Sequence, residues 1–151
     1  MKRFLLIAGL VFGLGGPCWA HAEPVEQPHE ALAITAEDAA AIHQTVQAQL
    51  QALANDDAAA AFELATLEKR MLIGSPDNFL RLMQELYEPL YRHTAVIYFK
   101  PEVVHGNAVQ MVRLTDSSSR VWVAIFWMQQ DDEHAWKIDG CHLLETMSVS
   151  I

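Results

Sequence analysis

The sequence predicts an α+β domain in which three helices pack on a four-stranded antiparallel sheet. In the first half, apolar residues recur at intervals of three or four, which is typical of amphipathic helices. In the second half, the pattern changes to alternating or β-branched runs that are separated by turn-forming clusters. Because every helical pattern precedes every strand pattern, the sequence favours segregated helices and strands over alternating α/β units.

The first predicted helix follows Thr35, which is a suitable N-cap because Asp38 lies three residues later and completes a capping pair. The helix ends before the polar run Asn55-Asp56-Asp57, which favours a turn. Its apolar stripe consists of Ile42, Val46, Leu50 and Leu53.

The second predicted helix is alanine-rich and extends over residues 56–71. Its first residues are acidic and its last turn contains Lys69 and Arg70, so the charges complement the helix dipole at both ends. Phe62 and Leu67 are expected to face the core.

The third predicted helix starts at the sequence Gly-Ser-Pro-Asp-Asn-Phe. Gly74 ends the preceding segment, Ser75 is the N-cap, and Pro76 takes the first helical position, where no backbone N–H is needed. The apolar stripe of this helix consists of Phe79, Leu82, Met83, Leu86 and Leu90.

Four strands are expected after these helices, in the order of a meander. Clusters at 105–107, 115–119 and 131–133 contain the small and polar residues that turns require. The predicted strands are Thr94 to Lys100, Ala108 to Thr115, Arg120 to Gln129 and Trp136 to Leu144.

The N-terminus has the order of a secretory signal peptide. Lys2 and Arg3 precede an apolar run over residues 4–15, and small residues then lead to Ala20-His21-Ala22. The sequence therefore predicts cleavage after Ala22 and a periplasmic or secreted mature protein. The expected organisation is a signal peptide at 1–22, a flexible lead-in at 23–33 and a single domain at 34–151.

Two other interpretations of this N-terminus are an uncleaved anchor and a lipoprotein. A membrane-spanning helix needs about 20 apolar residues, and Pro17 and His21 interrupt the run too early. Cys18 would be the residue that carries a lipid, but the preceding Gly-Gly-Pro does not resemble a lipobox.

Charge and cysteine content limit the partners of the mature chain. The formal net charge is −9, and two of the ten cationic residues leave with the signal peptide. This acidic balance opposes binding to nucleic acid and, after cleavage, to an anionic membrane. Removal of Cys18 leaves Cys141 alone, so no internal disulfide is expected.

The stretch Trp136 to Glu145 places an Asp, a Cys and a His close together and raises the question of a catalytic or metal site. In a regular strand, Cys141 and His142 point to opposite faces and cannot form a nucleophile–base pair. A bulge at Gly140 would relax that objection. The histidine spacings match no metal motif, and no cofactor motif is present. The sequence predicts a structural Cys141, no metal and no cofactor.

The strand beginning Arg120-Val121 is apolar on both of its faces. The helices can cover one face, so the other needs a partner. We expect a homodimer through the face that carries Trp122 and Phe126. The alternatives are coverage by the chain's own C-terminal segment, Leu143 to Ile151, and a small apolar ligand.

The order of these patterns, with "LYEPLY", "VQMVRLTD" and "WKIDGCHLL", resembles the bacterial domain of unknown function 4864. The resemblance covers residues 34–144. It implies small exported proteins of the nuclear transport factor 2-like superfamily, with helices closing over a curved sheet to form a cone with a cavity. It also implies dimerisation through the outer face of the sheet, and it supplies no activity and no catalytic residue.

The sequence therefore favours an uncharacterised exported domain that acts as a non-catalytic binding or structural module of the cell envelope. The alternative is a small hydrolase or isomerase with its site inside the cone. Polar residues on otherwise apolar elements are the candidates for lining a cavity, although each could instead lie on a solvated face. They are Tyr87, Tyr91, Gln110, Arg113 and Asp139.

Overall fold

The computed structural model describes residues 32–146. The expected signal peptide, Cys18, the lead-in up to residue 31 and the C-terminal residues 147–151 lie outside this range. Within it, five helices precede five strands: α1 Ala36–Ala54, α2 Ala58–Glu63, α3 Leu67–Ile73, α4 Pro76–Leu86, α5 Glu88–Tyr91, β1 His93–Tyr98, β2 Glu102–Val104, β3 Asn107–Asp116, β4 Val121–Gln130 and β5 Trp136–Glu145.

The α+β class and the antiparallel sheet are confirmed, with more elements than expected. The strand order is β1-β3-β4-β5, so consecutive long strands are neighbours, and β2 pairs with the end of β3 that β1 does not reach. The edge is broken into β1 and β2 around Pro101, which has no N–H to donate to the sheet. At this break the side chain of Gln110 donates to the carbonyl of Phe99.

Capping chemistry fixes the start of α1 and of α4, as the sequence predicts. The Thr35 hydroxyl accepts from the backbone N–H of Asp38, and the Asp38 carboxylate accepts from that of Thr35. Ser75 caps α4 through one bond, in which its hydroxyl accepts from the backbone N–H of Asn78. Asp38 also accepts from the indole N–H of Trp136 at 3.1 Å, which ties the first turn of α1 to β5.

The expected second helix is two helices, because the segment Leu64–Thr66 pairs with the sheet. The N–H of Thr66 donates to the carbonyl of Ile138 at 2.9 Å, and the N–H of Ile138 donates to the carbonyl of Leu64 at 2.8 Å. These bonds form a parallel bridge centred on Ala65. Phe62 is buried as expected, but Leu67 comes after the break and is 64% exposed, so its predicted inward orientation is wrong.

The helices cover the face of the sheet that carries Phe126, which is only 2% exposed. The sequence-based expectation placed this face at a dimer interface, and that assignment is wrong. The opposite face carries Val123, Ile125 and Trp127, all of which are partly exposed. The core formed on the inner face includes Ile42, Val46, Leu50, Leu53, Phe62, Phe79, Leu90, Val112, Leu114, Ala124, Phe126, Met128, Trp136 and Ile138.

A bulge in β5 breaks the strict alternation that the sequence suggested. Trp127 pairs with Gly140 and Met128 pairs with Ile138, so Asp139 is the extra residue. Ile138 and Cys141 consequently both join the helix-covered side, where alternation had separated them. Cys141 and His142 still point to opposite faces, since they lie beyond the bulge.

Among residues 32–146, we find no helix that is long and apolar enough to cross a membrane.

The β3–β4 hairpin is organised around the buried carboxylate of Asp116. This group accepts from the backbone N–H groups of Ser118 and Arg120, from the Arg120 side chain and from the indole N–H of Trp122, at 2.8–2.9 Å. The Trp122 hydrogen bond, together with these backbone bonds and the Arg120 charge, lowers the pKa of Asp116, although burial opposes this shift.

We predict that Asp116→Asn destabilises the protein at pH 7 and flattens its acid unfolding profile. A lowered native pKa contributes stability above the ordinary aspartate value of about 3.9, and that contribution is lost as the pH falls through the native pKa. Urea unfolding from pH 7 to pH 2.5 measures both effects. The exposed turn variant Asp132→Asn is the control, and equal acid profiles for wild type and Asp116→Asn would contradict the prediction.

Candidate functional site

A cleft of about 500 Å³ lies between the helices and the bulged part of β5, and we refer to it as the cleft. This volume is within the range of about 300–1,000 Å³ that small-molecule sites usually have. Its lining residues are Gln49 and Leu53 of α1, Lys69 and Ile73 of α3, Leu82, Met83 and Leu86 of α4, then Tyr87, Leu90, Phe126, Trp127, Ile138, Asp139, Gly140, Cys141 and His142.

The floor of the cleft is apolar and buried, whereas its rim is open. Leu53, Leu90, Phe126 and Ile138 form the floor and belong to the hydrophobic core. The rim includes Leu86, which is 65% exposed, together with other partly exposed side chains. An apolar molecule in the cleft would thus contact side chains that already belong to the core.

Helix α4 forms one wall of the cleft because only the first part of its apolar stripe is fully buried. Phe79 is buried against Phe62 of α2, with ring centroids 6.2 Å apart. Leu82, Met83 and Leu86 come later on α4, line the cleft and retain exposure to solvent. The stripe that the sequence suggested as core is therefore core at one end and cleft wall at the other.

Gln49 is the polar residue on the floor. It is 4% exposed, and its side-chain oxygen Oε1 is buried without a hydrogen-bond partner among the described residues. Buried polar atoms in proteins normally have a partner, because an unpaired one loses its bonds to water without replacement. Gln49 is consequently an unusual residue for the buried floor, whose other members are apolar.

Two further polar side chains that line the cleft form hydrogen bonds within the protein. Asp139 accepts a hydrogen bond at 3.0 Å from the hydroxyl of Thr66, the N-cap of α3. The hydroxyl of Tyr87 donates to the backbone carbonyl of Cys141 at 3.5 Å. These bonds fix α3 and the α4–α5 junction against β5.

Of the five polar candidates from the sequence, Tyr87 and Asp139 line the cleft, and the other three lie elsewhere. Tyr91 bonds with Asp56, Gln84 and Arg92 in a cluster that ties α5 to the end of α1. Gln110 is fully buried and donates to the carbonyls of Phe99 and Met111. Arg113 is exposed on the uncovered face of the sheet, between Ile97 and Val123.

Sequence reasoning missed Gln49 and Lys69. Gln49 had a detectable signal: it lies three residues after Val46 and four before Leu53, which places it on the apolar stripe of α1. Lys69 had no such signal in the sequence, because its position beside the cleft depends on the break between α2 and α3.

Cys141 lines the cleft as a thiol, since burial raises its pKa to about 12 and a backbone hydrogen bond from Ile125 offsets only part of this rise. The thiolate, which is the nucleophilic form, is therefore scarce near neutral pH. Within residues 32–146, no group of three His, Cys, Asp or Glu side chains is arranged to hold a metal ion.

Comparison with known proteins gives one match. The family model for a domain of unknown function, DUF4864, matches residues 35–151, a range that includes every described helix and strand and all the residues that line the cleft. Neither the curated proteins nor the solved structures contain a match.

We predict that Cys141 reacts slowly with disulfide reagents in the folded protein. A pKa raised from 9.0 to about 12 reduces the thiolate at pH 8 by on the order of a thousandfold. The labelling rate of the native chain is compared with that of the same chain in urea, where the thiol is free. Equal rates in the two states would show that Cys141 is an activated or open thiol.

Proposed function

The chain belongs to the DUF4864 family, and we propose that it is a binding module whose cleft holds a small, mainly apolar molecule. The observation that carries this proposal is the cleft itself, which joins a buried apolar floor to an open rim. Exposed apolar walls such as Leu82, Met83 and Leu86 are costly in water. A ligand that covers these side chains removes apolar surface from water, and this burial favours binding.

Three of the polar groups that line the cleft, Tyr87, Asp139 and Cys141, favour binding over catalysis. Tyr87 and Asp139 both line it, but each already bonds to the protein, to Cys141 and Thr66 respectively. A catalytic acid, base or nucleophile must instead be within hydrogen-bond reach of a reacting atom and have a suitable pKa. The thiol of Cys141, with its pKa raised to about 12, does not meet the second condition.

The proposed place of action is the periplasm or the exterior of the cell. This rests on the order of charged, apolar and small residues at 1–22, which is typical of an exported chain. The intact mass of the protein recovered from the cell envelope tests it, because cleavage after Ala22 gives a chain that starts at Glu23. A retained leader or a lipid on Cys18 would contradict the proposal.

We also propose that two copies associate through the uncovered face of the sheet. This face carries Val123, Ile125 and Trp127 on β4, and it continues to Ile97 on β1 and Leu144 on β5, which are each more than half exposed. An isologous contact would bring two such mainly apolar surfaces together, as symmetric dimers commonly do, and each surface also contains the exposed Arg113 between Ile97 and Val123. The face differs from the one expected from sequence, since Phe126 belongs to the core.

We predict that Met83→Trp weakens binding of a neutral apolar probe, N-phenyl-1-naphthylamine, by about tenfold or more, because the indole occupies cleft volume. Equilibrium dialysis measures the affinity without interference from the new fluorophore. Leu72→Trp is the matched control: it adds the same ring to a side chain that is 80% exposed and does not line the cleft. A wild-type protein that binds no probe, or two variants that bind equally, would refute the proposed site.

We predict that Ile125→Asp gives a folded monomer, whereas Phe126→Asp prevents folding. The two residues are neighbours on β4 that face opposite sides, so the pair separates an interface from a core position. Sedimentation at tens of micromolar reports the oligomeric state, and circular dichroism reports folding. A wild type that sediments as a monomer at this concentration removes the dimer proposal.

A further inference from the structure

We infer that the molecule held in the cleft presents a hydrogen-bond donor, a hydroxyl or an N–H, to Gln49 on the floor. The inference rests on the proposed binding function and adds the chemistry of the ligand to it. Its basis is Gln49, which lines the cleft and whose side-chain oxygen is buried without a partner among the described residues.

Gln49 occupies a position where an apolar side chain would serve the fold better. It lies on the stripe of α1 that includes Val46 and Leu53, and it is 4% exposed. Burial of an amide without a partner costs free energy that a methionine or leucine would avoid. The helix cannot readily move the residue out, because α1 is fixed to β5 through the bonds of Asp38 and Thr45 to Trp136.

Gln110 is a buried glutamine with a structural role, whereas Gln49 is placed where it can bind a ligand. Gln110 also has a buried oxygen without a partner, but its amide nitrogen donates to two backbone carbonyls at the break between β1 and β2, and it does not line the cleft. Gln49 does line the cleft. Because the terminal torsion of a glutamine is broad, rotation of its carboxamide can turn the oxygen toward a ligand.

The missing partner of Gln49 is a donor, since its oxygen can only accept. No described donor lies within hydrogen-bond distance of this oxygen: the Tyr87 hydroxyl donates to the Cys141 carbonyl, and Lys69, although it lines the cleft, does not bond to Gln49. An apolar body with a hydroxyl or N–H at its inner end fits both the floor and this acceptor. A pure hydrocarbon fits only the floor.

The test uses three naphthalene probes of similar size and the mature wild-type protein. The first, 2-naphthol, can donate; 2-methoxynaphthalene cannot; and 2-acetylnaphthalene has a stronger acceptor but no donor. We expect equilibrium dialysis to give a dissociation constant for 2-naphthol that is about tenfold lower than for the other two. This ratio corresponds to about 1.4 kcal/mol, which is within the usual net value of a hydrogen bond.

Gln49→Met keeps the approximate shape of the side chain and removes the amide, so it should abolish the preference for 2-naphthol while retaining affinity for 2-methoxynaphthalene. Gln51→Met is the matched control, because Gln51 is exposed on the same helix. If Gln49→Met does not fold, Gln49→Asn provides a second variant, in which a shortened amide should reduce the preference.

The outcomes separate this inference from the proposed function. If the wild type binds none of the three probes, the binding function itself fails. If it binds all three equally, or prefers 2-acetylnaphthalene, the cleft binds apolar molecules but does not select a donor, and the inference is overturned. A preference for 2-naphthol that survives in Gln49→Met also overturns it, because another group would then be the acceptor.

Discussion

Two backbone hydrogen bonds to Ile138 determine much of the arrangement around the cleft. They attach the segment Leu64–Thr66 to β5, which is an edge strand of the sheet. Edge strands leave backbone groups unpaired, and covering them is a common protection against unwanted pairing. Here the covering segment comes from between two helices, so the chain cannot continue as one helix from Ala58 to Ile73. The pairing thereby creates α3 and places it beside the cleft.

The bulge next to this bridge completes the geometry. With Asp139 as the extra residue, β5 turns Ile138 and Cys141 to the same side, and both then line the cleft. Asp139 itself becomes free to accept from Thr66, which caps α3. An added Cβ at Gly140 would lie 4.0 Å from the nearest atom of Trp127, an ordinary contact, so crowding does not explain the bulge. The bulge lies where the segment Leu64–Thr66 is attached to β5.

Sequence reasoning succeeded where structure depends on neighbouring residues. The caps at Thr35 and Ser75, and the four long strands, follow from local hydrogen-bond chemistry and local periodicity. Sequence reasoning failed where a residue far away along the chain determines the local structure. The break between α2 and α3 is imposed by Ile138, more than 70 positions away, and a window that covers only the alanine-rich segment sees a single helix.

The same division applies to the sheet faces and to the candidate site. A strand that is apolar on both sides does not reveal which side the helices cover, so Phe126 and Ile125 were interchangeable from sequence. Tyr87 and Asp139 were found because polar residues on apolar elements are detectable locally. Gln49 obeys the same rule and was recoverable from the period of α1, whereas Lys69 reaches the cleft through the distant pairing at Ile138.

The cleft is open beside α4 because this helix is buried fully only at Phe79, whereas Leu80 and Met83 pack against the core in part. Phe79 is buried against α2, and Leu90 is buried in the core after the helix has ended. The later part of the apolar stripe, Leu82, Met83 and Leu86, would close a larger core if it were fully buried. It borders the cleft instead, with Leu86 at the rim. Gln49 lines the same cleft, and its unpaired side-chain oxygen is buried there. Partly exposed apolar side chains and a buried polar group without a partner both reduce the stability of the fold. A binding site requires this combination of an apolar surface and a polar group.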